Sequence, residues 1–225
     1  MRRAFFRKTP IRLAMYLLGF FVTGAGVVLI IRSDLGAGPW DAVTYNLSRL
    51  LGISLGWASF IVNSAVLAFV IAVRRKWRFL LVLIPIYGIR VSLDLWDAHL
   101  LEGRLMENPF ALSAFLYVFG TFVLTLGLAL IIESGYPAMV FDEVMLFFMD
   151  LFRTESVTAV RLSNELFAIM LATVFGFSAG IRFGAVNLGS FVLAVLIAPI
   201  LATQLRWLKG VIYEGEEKHS RKNDI

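Results

Sequence analysis

The sequence predicts an all-α integral membrane protein of six transmembrane helices plus two half-length helices, arranged as two inverted three-span repeats. Three observations predict it. The 225 residues are 59% hydrophobic and only 16% charged, where a soluble domain carries about 25% charged residues. Apolar runs near the ~20 residues that cross a bilayer recur along the chain. The chain also matches itself when slid by 101 residues, which marks an internal repeat.

The elements follow in order. The basic "MRRAFFRKTPIR" precedes the first span, 12–32. That run is too long for the apolar core of a signal peptide, and no small-x-small cleavage site ends it, so it reads as a retained helix. "SDLGAGPWDAV" (33–43) then turns the chain with two glycines and a proline. The next segment, 41–51, is apolar but only eleven residues long, roughly 16 Å as a helix against a hydrocarbon core of ~30 Å. It must enter and return, or lie against other helices, because backbone cannot stay unsatisfied in lipid. Spans 56–73 and 79–97 complete the first repeat, 12–97. The second repeat, 110–206, brings spans 110–132, 157–177 and 185–206 and a second half-length segment, 142–152. Residues 207–225 read as a solvated cytoplasmic tail. No stretch is polar enough for a separate soluble domain, so 1–225 is a single membrane domain.

The repeat carries the inversion. "GFFVTGAGVVLIIRSDLGAGPWDAV" from Gly19 falls on "GTFVLTLGLALIIESGYPAMVFDEV" from Gly120, and 14 of the 45 positions from 19 to 63 are identical without a gap. The identities include Gly19/Gly120, Gly26/Gly127, Ser33/Ser134, Asp41/Asp142 and Asn63/Asn164. Each copy has three full spans, and an odd number of crossings sends the second copy in from the opposite side. Basic residues fix the orientation. With the N-terminus inside, 15 Lys and Arg fall in cytoplasmic segments, the Arg74, Arg75, Lys76, Arg78 cluster among them, and four (Arg32, Arg49, Arg104, Arg182) fall outside. The positive-inside rule then places both termini in the cytoplasm. The net charge of +5 follows from these segment ends and from anionic headgroups, with no call for nucleic acid.

Few residues offer chemistry. Without cysteine there is no disulfide, thiolate site or redox motif. The two histidines, His99 and His219, lie in a loop and in the tail, which suits neither a metal centre nor a proton relay. No nucleophile constellation appears, so neither an enzyme nor a cofactor is expected. Asp41 and Asp142 each follow a proline-containing turn and precede an apolar helix, where an aspartate caps the first free amides. If the two half-length helices meet from opposite faces, the same aspartates line a polar site, joined by Trp40 and Glu143. Asn63 and Asn164 recur at one offset inside spans, as interhelical hydrogen-bonding groups or as lining of that site. Arg90 and Asp94, and Arg161 and Glu165, are spaced i, i+4 within spans, as self-neutralising pairs or as a gate.

The turn "GAGPWDA" followed by "GISLGWASFIVN" resembles the YitT/YczE-like family of bacterial integral membrane proteins, through Gly36, Gly38, Pro39, Trp40, Asp41 and Gly56. The second-half turn, "GYPAMVFDE", keeps the aspartate and lacks the G-P-W. The chain ends without the soluble C-terminal domain of the YitT branch and so is more similar to the YczE branch. The resemblance implies the bacterial cytoplasmic (inner) membrane and a permease, and names no substrate. The expected function is therefore a secondary transporter of a small polar or organic solute, working by alternating access of the two repeats. The alternative is a membrane scaffold, or a regulatory or substrate-capture subunit of another protein. Membrane lipid is the expected surrounding partner, with a second copy of the chain or another membrane protein beside it.

Overall fold

A computed structural model describes residues 9–100, 109–137, 141–153 and 156–223, with the side chains of 9, 78, 99–100, 141–143, 145–146, 152, 157–158 and 211–223 outside that description. Eight α-helices lie among the described residues. They are α1 (Thr9–Arg32), α2 (Pro39–Leu51), α3 (Leu55–Arg74), α4 (Leu83–Asp94), α5 (Phe110–Ser134), α6 (Phe141–Phe152), α7 (Val157–Ser178) and α8 (Leu188–Asn223). Six helical stretches are long and apolar enough to cross a membrane: Pro10–Arg32, Leu55–Arg74, Phe79–Ala98, Phe110–Ser134, Ala159–Ser178 and Leu188–Gly210. The chain is an all-helical, multi-pass membrane protein, and α2 and α6 are the short helices between the spans.

Two boundaries differ from the expectation. The third span opens on a 3-10 stretch, Trp77–Val82, and closes on a π-helical turn, Leu95–Leu100, around α4. The sixth begins at Leu188 and not near 185, because Gly180, Arg182 and Gly184 take positive φ and hold the preceding segment in a loop. α8 runs through Pro199 within the bilayer-length stretch and continues beyond it to Asn223, so the tail read as merely solvated is helical.

α1 and α5 form the centre, and glycine sets how closely they cross. A Cβ on Gly19 would strike Ile131, one on Gly26 would strike Leu124, one on Gly120 would strike Ile30, and one on Gly127 would strike Thr23. Each step forward along α1 is a step back along α5, so the pair is antiparallel. Shifting the Gly19–Ile131 contact by 101 residues turns it into Gly120–Ile30, and Gly26–Leu124 likewise becomes Gly127–Thr23. The interface is closed by Tyr16, Phe20, Val27, Val28, Ile30, Leu124 and Ile131 in one buried cluster. α4 packs on α1 and α3, α8 packs on α5, and α2 packs on α7 and α3.

Local chemistry at the helix ends follows the same offset. Ser33 Oγ donates to the Ile30 carbonyl at 2.6 Å and accepts from Leu35 N at 3.3 Å, while Ser134 Oγ donates to Ile131 at 2.6 Å and accepts from Tyr136 N at 3.3 Å. The next residues, Asp34 and Gly135, both take positive φ, as do Gly52 and Arg153 after α2 and α6. Serine back-bonding followed by a left-handed residue ends a helix without orphaned carbonyls. Tyr16 Oη donates to Pro137 O at 2.7 Å, and Tyr117 Oη, 101 residues on, donates to Gly189 O at 2.6 Å. Arg32 pairs with Asp97 at 2.7 Å, and its counterpart Glu133 pairs with Lys209 at 3.3 Å, with the signs exchanged.

Candidate functional site

A cavity of about 900 Å³ lies between α2, α3, α6 and α7. α2 offers one face to it, Trp40, Val43 and Leu47, at helical spacing. Val62, Val66 and Phe69 face it from α3, Val144 and Phe148 from α6, and Ser163, Asn164 and Phe167 from α7. Four lining pairs are related by the 101-residue offset: Val43/Val144, Leu47/Phe148, Val62/Ser163 and Val66/Phe167. Among the described lining residues none is charged, and Ser163 and Asn164 are the polar aliphatic ones.

The opposite face of α2 is fixed on α7. Asn46 is fully buried. Its Nδ2 donates to Ala172 O at 2.7 Å and Phe183 O at 3.0 Å, and its Oδ1 accepts from Ala185 N at 3.0 Å. Gly176 and Gly184 make room for that amide. Ala42, Val43, Ala168 and Ala172 pack beside it. The turn before α2 is tied to the start of α8 by Ala37 N to Ala185 O and Gly189 N to Leu35 O, both 2.9 Å. Asn46 was not among the residues singled out in the sequence. Its counterpart 101 residues on is Phe147, so the repeat carries no signal for it.

Asp41 is the third residue of α2 and not its N-cap. Gly38 holds the cap position, Pro39 opens the helix, and no side-chain hydrogen bond caps it. The carboxylate turns back over Gly38, whose Cβ position lies 2.7 Å from Oδ2. There it sits in the first turn, where the helix dipole favours an anion. Neither Asp41 nor Glu165 of α7 lines the cavity, although their neighbours Trp40 and Asn164 do. Asp142 and Glu143 open α6, and their side chains lie outside the described residues.

The asparagines part company. Asn63 bonds within its own helix, Nδ2 to Ser59 O at 2.8 Å and to Ser59 Oγ at 3.2 Å, which replaces the interhelical bond expected. Its Oδ1 is buried without a partner among the described residues. Asn164 faces the cavity. Arg90 and Asp94 do not neutralise each other. Arg90 stacks over Trp57, with Cζ 3.7 Å from the ring centroid, and Asp94 Oδ1 accepts from Gly56 N at 2.8 Å at the start of α3. Both groups thus join α3 to α4, away from the cavity. Arg161 and Glu165 make no ion pair among the described residues, though the charge of Arg161 acts on Glu165. No group of three or more metal-ligating side chains occurs among the described residues.

Comparison with known proteins gives a family and no activity. The uncharacterized protein YyaS of Bacillus subtilis (strain 168) is 26% identical over 166 residues, covering 74% of this chain and 82% of that protein. No solved structure matches. Residues 10–205 match the family described as a family of unknown function, DUF6198, and the YitT/YczE-like resemblance of the G-x-G-P-W-D turn is not what the comparison returned. The match spans all six candidate membrane helices but the last residues of α8, and the chain belongs to the DUF6198 family.

Proposed function

We propose that the chain is a permease of the bacterial cytoplasmic membrane, moving an organic solute through this cavity by alternating access of two inverted repeats, with both termini cytoplasmic. The observation that carries the reading is the set of lining pairs. Val43/Val144, Leu47/Phe148, Val62/Ser163 and Val66/Phe167 place equivalent positions of both repeats on one cavity. A site shared by two copies of opposite orientation is the arrangement in which exchanging their conformations exposes the same site to the other face. The reciprocal contacts of α1 with α5, and the sign-exchanged pairs Arg32–Asp97 and Glu133–Lys209, support the two-fold relation. The G-x-G-P-W-D turn supports kinship with the YitT/YczE-like proteins.

The test needs no substrate, because the chain has no native cysteine. Ser163→Cys is treated with a membrane-impermeant thiol reagent in intact cells and, separately, in inverted vesicles. Alternating access gives labelling from both sides. Labelling from one side alone leaves a fixed crevice, the property of a scaffold or capture subunit. Lys76→Cys, labelled solely in inverted vesicles, and Arg182→Cys, labelled in intact cells, check the orientation.

A further inference from the structure

We infer that the cavity takes a neutral, largely apolar organic molecule with a planar or branched hydrocarbon body and a single hydrogen-bonding group, entering sideways from the bilayer; this deepens the permease reading and rests on it for the consequence that such a molecule is moved. Four features of the wall carry the inference. None of its seventeen described lining residues is charged, so none of them replaces the hydration shell an ion or zwitterion would leave behind. Of the described acids beside it, Asp41 folds over Gly38 and Glu165 is not among the lining residues. Five of the lining residues, Trp40, Phe69, Phe148, Phe167 and Phe175, are aromatic and give flat apolar surfaces suited to stacking.

The hydrogen-bonding requirement comes from α7. Asn164 and Ser163 face the cavity side by side, and neither hydrogen-bonds another described residue through its side chain. An amide in apolar surroundings is costly until paired, and one donor or acceptor on the occupant meets that need. The capacity fits, since pockets of about 300–1,000 Å³ hold small organic ligands. The route follows from the rim. Ile61, Phe69 and Phe167 line the cavity yet are 42%, 43% and 51% exposed, so the space between α3 and α7 opens on the protein's flank, where acyl chains lie.

Photolabelling tests this on the purified full chain in nanodiscs. The probe is a naphthalene methanol carrying a diazirine: neutral, planar and with one hydroxyl. Labelled positions are read by peptide mass spectrometry. The expected result is insertion on lining positions of α3 and α7, suppressed at least about tenfold by excess unlabelled naphthalene methanol, and not by tetraethylammonium or succinate. Ala65→Trp and Leu171→Trp fill the space and abolish that label. Asn164→Leu, which keeps the volume, weakens competition by the alcohol about tenfold, the equivalent of one hydrogen bond, and serves where the tryptophan variants do not elute as a single species. Label spread equally over outward-facing Leu166 and Met170, or displaced by either ion, overturns the inference. The two readings fail separately. Competed label with one-sided access at Ser163→Cys leaves the ligand class standing and removes transport, whereas two-sided access with no competition by the alcohol removes the ligand class alone.

Discussion

The amide of Asn46 joins α2 to α7 and to the loop before α8 by bonds to three backbone groups of the opposite half of the chain. Asn46→Leu keeps the bulk and leaves Ala172 O, Phe183 O and Ala185 N without a partner. Each such group costs about 1–3 kcal/mol, so a fall in melting temperature of at least ~4 °C is expected. An unchanged melting temperature would show that water replaces the amide. Asp41 predicts the reverse. With Gly38 as the cap, neither Asp41→Ala nor Asp41→Asn loses a capping bond. Both variants should melt with the native protein, and a loss of ~0.5–2 kcal/mol confined to the alanine variant would restore the capping role. The aspartate was legible as a helix start because a proline turn precedes an apolar run. Its place within the first turn was not, since a glycine at the cap serves nearly as well. Asn46 was illegible because comparison of the halves finds what they share, and this residue belongs to one half alone.

At the scale of the element, the repeat predicted more than the spans. The identical glycines of α1 and α5 lie where the two helices cross, so a coincidence of sequence is a coincidence of contact. Gly26→Ala pushes a methyl group into the Leu124 backbone, and Gly127→Ala does the same at Thr23. Overpacking of this kind costs about 1–3 kcal/mol. Because the two sites are related by the repeat, the two losses should be similar in size, as read by thermal unfolding in one detergent. Losses differing by more than ~2 kcal/mol would argue that the crossing is not symmetric. The half-length helices were also legible, from eleven apolar residues bounded by turn residues. What pattern could not supply was the fate of the intramembrane charges. Spacing of i, i+4 brings Arg90 and Asp94 onto one face of one helix, yet a neighbouring helix offered Arg90 the Trp57 ring and offered Asp94 the free amide of Gly56. Tertiary partners won over the local pair because both satisfy groups that α3 would otherwise leave exposed.

The two halves share the α1–α5 contacts and differ in how their short helices are fastened. α2 is held on α7 by the buried Asn46, whereas the equivalent position on α6 is Phe147, which meets Phe69 of α3 ring to ring at 5.6 Å. Near the ends of the same helices, Arg74 and Asp150 pair at 2.9 Å, with Asp150 largely exposed. An aromatic contact and an exposed ion pair are each worth about 1 kcal/mol or less; a buried amide with three bonds is worth more. If the repeats exchange conformations, the α6–α3 contact is therefore the one that gives way at lower cost, and locking it should stop the exchange. Phe69→Cys with Phe147→Cys provides the lock beside Ser163→Cys on a chain without native thiols, and the variant lacking Phe147→Cys controls for pairing with the reporter. Oxidation should confine Ser163→Cys labelling to one face of the membrane, and reduction of the disulfide should return it to both. The matching restraint on the other half, Asn46→Cys with Ala172→Cys, fixes a contact already closed here and should favour the same one-sided state. Two-sided labelling that persists in the cross-linked Phe69/Phe147 variant would mean that α6 and α3 move together, and that access to the cavity is controlled elsewhere in the bundle.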